Sequence, residues 1–219
     1  MGFGAEYGQR VHVYTSPNPT GPFTYRNAMT NVYGGPGDLL VFPDTDGKAY
    51  LIYNKYQGDI PQRYAYVYQL TDDYYDLVPS TLSNTHTVME GFWMVKHNST
   101  YFLFGSGLVS YDVDDNFYIT APTPLGPWTH RGLFAPVGTK TFASQTFQGL
   151  QVSGSNGTAY VYIGHRWKNQ VNGVFPNATS IWLPLVFNSD TSVVQMTWYD
   201  QWVLSTNGWW GTCFPRDRR

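Results

Sequence analysis

The chain has 219 residues, 42% hydrophobic and 18% aromatic, which is ample material for the core of one large all-β domain. Only 13% of the residues are charged and the net charge is -2, so nothing in the composition points to nucleic acid as a partner. No apolar run approaches the length of a membrane span and Met1 begins no signal peptide, so no membrane partner is expected.

In chain order, the first element is a strand near Val11–Tyr14, followed by Gly21-Pro22-Phe23-Thr24-Tyr25-Arg26. A second region pairs Asp38–Phe42 with Ala49–Asn54 across the turn Asp44-Thr45-Asp46-Gly47, and a strand-like run covers Tyr64–Leu70. A third pairs Gly91–Val95 with Tyr101–Gly105 across His97-Asn98-Ser99. It ends in Tyr118-Ile119-Thr120-Ala121-Pro122 and Gly126-Pro127-Trp128-Thr129-His130-Arg131, a second copy of the first motif. A fourth pairs Phe147–Val152 with Ala159–Gly164 across Ser155-Asn156-Gly157. The two Gly-Pro-aromatic motifs lie 105 residues apart, Gly126 against Gly21, with Tyr64–Leu70 near the half-way point. The repeat is about half that spacing, the length of one propeller blade.

No window gives an amphipathic helix. A β-sandwich also shows short strands and frequent turns, but motifs paired at blade spacing favour a β-propeller. The expected fold is all-β, one shortened propeller domain over residues 1–219. It has three complete four-stranded blades, 36–85, 88–136 and 143–206, after a partial N-terminal blade over 1–30. A partial blade leaves unpaired strand edges. Trp202–Ser205 or Trp209–Phe214 is expected to pair with the N-terminal strands and close the ring, with a homo-oligomer as the second way to cover the edge.

Of fifteen acidic residues only Glu6 and Glu90 are glutamates. Glu90 stands before the apolar Gly91-Phe92-Trp93-Met94-Val95, where partial desolvation raises a carboxyl's pKa, as a general acid needs. Asp38 stands before Leu39-Leu40-Val41-Phe42 in the preceding repeat, 52 residues earlier (90 minus 38). Equivalent inner-strand ends converge on a propeller's axial pocket. Asp44, Asp46 and Gly47 do not complete a calcium-loop pattern and read as a tight hairpin turn. The five histidines show no metal-ligand spacing, so neither metal nor cofactor is expected. Phosphate-cradling loops, dinucleotide glycine patterns and nucleophile elbows are all missing from the sequence. The single cysteine, Cys213, reads as a buried apolar residue. Asn98, Asn156 and Asn177 each begin an N-glycosylation tripeptide, so a secreted glycoprotein is expected.

The stretch Gly37–Leu51, the segment Glu90-Gly91-Phe92 and the turn Leu125-Gly126-Pro127-Trp128 resemble glycoside hydrolase family 43. Ser144-Gln145, Ala159–Trp167 and Ile181–Leu185 resemble its exo-β-1,3-galactanase branch. The resemblance implies an inverting hydrolase that releases galactose from β-1,3-galactan or a related plant cell-wall glycan. It implies Glu90 as general acid, Asp38 as its modulator and Gln145 as the group that handles water, with Gln148 or Glu6 as alternatives. Glu6, Tyr111, Trp93, Arg166 and Trp167 are the candidate substrate contacts, the aromatic ones by stacking on sugar faces. The chain departs from the family in having fewer than five blades, in His165 where aspartate is usual, and in Phe92 where proline is usual. A glycan-binding propeller without activity, or a family member acting on arabinan or xylan, are the competing readings.

Overall fold

The computed structural model describes residues 2–6, 10–30, 32–56, 63–109, 112–155, 157–167, 178–188, 194–205 and 208–212; of 2–6, 205 and 208–212 it describes the backbone. The fold is all-β. Strands β1 (Gly2–Glu6), β2 (Arg10–Thr15) and β3 (Thr24–Met29) form a three-stranded antiparallel sheet. Strands β4 (Pro36–Pro43), β5 (Ala49–Lys55), β6 (Tyr64–Gln69) and β7 (Ser83–Val88) form a four-stranded one in sequence order. A second four-stranded sheet contains β8 (Glu90–His97), β9 (Thr100–Ser106), β10 (Phe117–Ala121) and β11 (Thr129–Leu133). A third contains β12 (Gln145–Gly154), β13 (Gly157–Arg166), β14 (Thr179–Phe187) and β15 (Val194–Met196). Strands β16 (Gln201–Ser205) and β17 (Gly208–Thr212) form a two-stranded sheet among the described residues.

Residue contacts gather into two compact units, Met1–Leu103 with Ile119–His130, and Phe104–Tyr118 with Arg131–Arg219; β9, β10 and β11 carry residues of both. In the first unit, β5 is buried from Ala49 to Asn54, because a central strand is covered on both faces. Val11, Val13 and Met29 of the N-terminal sheet are fully buried in the same cluster as Leu51 and Tyr53. Tyr53 stacks on Tyr66 and Tyr68 and donates its hydroxyl to the Tyr33 carbonyl at 3.0 Å, which satisfies the polar end of a buried ring. In the second unit Phe104 stacks on Tyr118, and Phe134 meets Phe104 and Tyr162 in a run of buried rings.

The repeated Gly-Pro-aromatic motif forms one turn twice. Gly21 has φ +87° and donates to the Asn18 carbonyl; Gly126 has φ +97° and donates to the Thr123 carbonyl; each precedes a cis proline. The second copy joins the third and fourth strands of its sheet, β10 and β11, and the first joins β2 and β3. The N-terminal sheet therefore matches the second to fourth strands of a four-stranded unit. The expected ranges 36–85 and 88–136 correspond to β4–β7 and β8–β11. The expected range 143–206 is too long: its sheet ends at Met196, and Gln201–Ser205 starts a separate hairpin. Among the described residues, β16 and β17 form a two-stranded sheet separate from the N-terminal one, rather than pairing with the N-terminal strands as expected.

Candidate active site

The candidate residues fall into two groups, one in each unit. In the first, Asp38 lies on β4 inside a bulge between Pro36 and Leu39. The bulge removes Asp38 from the regular ladder and leaves its side chain exposed. Its Oδ2 accepts the Gly91 N–H at 3.1 Å. Gly91 has φ +61°, a left-handed conformation that glycine adopts without steric cost, and it follows Glu90. Glu90 is half-buried as the first residue of β8, after the fully buried Met89. Asp38 and Glu90 thus stand at the starts of the first strands of successive sheets. An ionic hydrogen bond ties the aspartate to the backbone beside the glutamate.

In the second, Gln145 is half-buried as the first residue of β12. Both ends of its amide are held: Nε2 donates to Ser106 Oγ at 3.0 Å, and Oε1 accepts the Trp167 indole N–H at 2.7 Å. His165 sits opposite Gln145 across the β12–β13 ladder. Its ring stacks on Phe147 at 4.0 Å and meets Trp167 edge-on at 5.0 Å. Burial lowers its pKa, which favours the neutral imidazole. Arg166 lies with its guanidinium 6.0 Å from the Trp198 ring, and Trp198 packs edge-on against Phe142. Gln148 follows the bulge in β12 and is exposed.

Gln145 emerges from a rare piece of backbone. Lys140–Ala143 form a left-handed helical turn with φ between +51° and +58°, closed by Ala143 N–H to the Thr139 carbonyl and Ser144 N–H to the Lys140 carbonyl. For L-residues that hand costs about 1–2 kcal/mol each. The opposing bonds are numerous. Asp115 accepts the N–H groups of Gly138 and Lys140, each at 2.6 Å. Thr141 Oγ1 accepts the Asn116 N–H, and Ser144 Oγ donates to the Thr141 carbonyl.

Of the other residues singled out from sequence, Trp93, a candidate for stacking on sugar, is 5% exposed. Glu6 lies on β1 opposite Arg10. Tyr111 falls outside the described residues, as do Asn156, Asn177 and Cys213. Ser106, Asn116 and Trp198 were not singled out from sequence. Only the clustering of Asp114-Asp115-Asn116 after an apolar strand offered a signal, and it reads as an ordinary polar turn.

Comparison with known proteins places these residues in context. A model of glycosyl hydrolases family 43 matches residues 3–111. No curated protein matches. The chain is similar to the crystal structure of a putative exo-β-1,3-galactanase from Bifidobacterium bifidum, with 30% identity, TM-score 0.75, and coverage of 88% of this chain and 62% of that one. It is similar to an exo-β-1,3-galactanase from Clostridium thermocellum, at 27% identity, TM-score 0.77, covering 97% and 48%. It is also similar to the exo-β-1,3-galactanase from Phanerochaete chrysosporium bound to galactose, at 25% identity, TM-score 0.76, covering 94% and 46%. The chain therefore spans between about half and three fifths of these structures.

Proposed function

We propose that the chain is a glycosyl hydrolase of family 43, whose model matches residues 3–111, and that it releases galactose from β-1,3-galactan with inversion at the anomeric carbon. Glu90 protonates the glycosidic oxygen, Asp38 modulates Glu90, and Gln145 is the group that orients water. The observation that carries the reading is the bond from Gly91 N–H to Asp38 Oδ2, which joins the proposed modulator to the residue after the proposed acid. Gln145 supports it, because bonds at both ends fix the orientation of its amide. Trp167, bonded to Gln145, and Arg166, whose guanidinium faces Trp198, are the proposed substrate contacts. The galactan specificity draws on the neighbours, one of which was crystallised with β-1,3-galactotriose.

The same reading makes residues 1–219 one shortened propeller domain with three complete blades, supported by three four-stranded sheets at regular spacing. It also makes the protein a secreted glycoprotein; Asn98, exposed in the β8–β9 turn, is accessible for glycosylation. The second reading is a glycan-binding propeller without turnover. Reducing-sugar release from β-1,3-galactan, arabinan and xylan separates the two. Release from galactan alone is expected, and Glu90→Gln should lower it by roughly 10²–10⁴-fold at unchanged thermal stability. Undiminished turnover in that variant removes Glu90 from the acid role, and binding of galactan without release establishes the second reading.

A further inference from the structure

We propose that Asn116 is the positioning residue for Gln145, fixing the proposed water-orienting amide by clasping the backbone on both sides of it. Asn116 is fully buried. Its Oδ1 accepts the Thr146 N–H at 2.7 Å and the Thr146 hydroxyl at 2.8 Å, on the residue after Gln145. Its Nδ2 donates to the Ser144 carbonyl at 3.3 Å, on the residue before Gln145. The same Nδ2 donates to Asp114 Oδ1 at 2.9 Å and to the Asp114 carbonyl at 3.1 Å. A backbone N–H on one side and acceptor oxygens on the other set the amide's orientation, and only an amide matches both. Aspartate at this position would turn a second carboxylate towards Asp114 and the Ser144 carbonyl, and apolar residues would leave the Thr146 N–H buried without an acceptor.

The clasp reaches further back along the chain. The Asn116 N–H donates to Thr141 Oγ1 at 2.7 Å, inside the left-handed turn. That turn contains no glycine, so its conformation depends on outside partners such as this one. Asn116 itself touches neither end of the Gln145 amide, which Ser106 and Trp167 hold. Its action is on the backbone: if residues 144 and 146 shift, the amide leaves the frame that those two partners define. A shift of about 1 Å in a positioning group can cost a hundredfold in rate.

The inference rests on the reading of Gln145 as the group that orients water, so the experiment separates the two. The Trp167 indole N–H, bonded to Gln145 Oε1, reports the amide's placement without any turnover. Asn116→Ala and the milder Thr146→Val, which removes one hydroxyl donor, are compared with the parent by indole ¹H–¹⁵N spectra across the eight tryptophans, melting temperature, and kinetics on β-1,3-galactotriose. The Trp167 signal should shift and lose exchange protection while signals from tryptophans remote from the clasp stay in place. The kcat should fall by about ten- to a hundredfold with KM within about threefold. In a Gln145→Ala background, Thr146→Val should cost no further activity. If Asn116→Ala does not fold, Thr146→Val decides. An unmoved Trp167 signal in a folded variant overturns the proposal, and so do effects that multiply with those of Gln145→Ala. Full turnover by Gln145→Ala alone sinks the catalytic reading of Gln145 and leaves the indole signal to decide on the clasp.

Discussion

Asp44 lies in the β4–β5 turn, where its Oδ1 accepts the Thr45 N–H at 2.7 Å and Gly47 closes the loop with φ +86°. The hairpin turn is the structure expected from Asp44-Thr45-Asp46-Gly47. What the local sequence does not carry is the reach of Asp44 to β8 and β9: Tyr101 donates to its Oδ2 at 2.5 Å, and Lys96 Nζ lies 3.3 Å from Oδ1. Burial by itself would raise the carboxyl's pKa, but the Tyr101 hydroxyl, the Thr45 N–H and Lys96 together bring it below the usual aspartate range. A lowered folded-state pKa contributes stability that is present above the unfolded aspartate value, about 3.9, and is lost as the pH falls through the folded value. Asp44→Asn should therefore unfold at lower urea than the parent at pH 7, by about 1–3 kcal/mol, and the gap should narrow below about pH 4. Parallel urea curves at pH 7 and 3.5 check it; a gap that persists undiminished in acid shows that the charge contributes nothing. The same contrast between local and distant partners governs the site residues. The placement of Asp38 and Glu90 at the starts of β4 and β8 was legible because their 52-residue offset matches a repeat. Asn116 was not, because its partners at 141, 144 and 146 lie 25 to 30 residues away with no periodicity to announce them.

Elements were most legible where a central strand is buried on both faces, as in Ala49–Asn54, or where glycine marks a turn. Outer strands were less so: β7 reads Ser-Asn-Thr-His-Thr-Val, and the buried Thr85 earns its place by bonding the Ala65 carbonyl rather than by apolar burial. The left-handed turn at Lys140–Ala143 had no signal at all, since none of its residues favours that hand. The glycine turns permit a direct test. A Cβ on Gly126 would sit 3.0 Å from Trp128 Cδ1 and 3.2 Å from its backbone nitrogen, whereas a Cβ on Gly47 meets nothing within 4 Å. Both have φ near +90°. Gly47→Ala should cost only the backbone penalty, about 1–2 kcal/mol. Gly126→Ala should cost measurably more, and the difference in denaturation midpoints isolates the Trp128 contact. Equal losses would mean that the indole moves aside freely.

At the scale of the whole chain, the repeat of about fifty residues anticipated the sheets β4–β7 and β8–β11, because each needs one complete set of strands between turns. It did not anticipate the C-terminal hairpin, in which β16 pairs with β17. The partial N-terminal sheet remains the most exposed test of this organisation. Strand β2 runs beside β3, with Val11 opposite Met29, and all of Val11, Val13 and Met29 are fully buried in the cluster that holds Leu51, Tyr53 and Leu77. Removing residues 1–16 takes away β1 and β2 together. It withdraws two buried valines, each contributing about 1.5–3 kcal/mol by burial, and uncovers Met29 and the apolar side of the cluster. It also leaves β3 without the strand that satisfies its backbone. Against a total stability of about 5–15 kcal/mol for a domain, losses of this size exhaust a large share. The truncated protein should therefore melt well below the parent or aggregate on expression. Size-exclusion chromatography and thermal denaturation read the outcome. A truncated chain that stays monomeric, soluble and as heat-stable as the parent would show that the N-terminal sheet is an appendage and that the first unit's core closes without it.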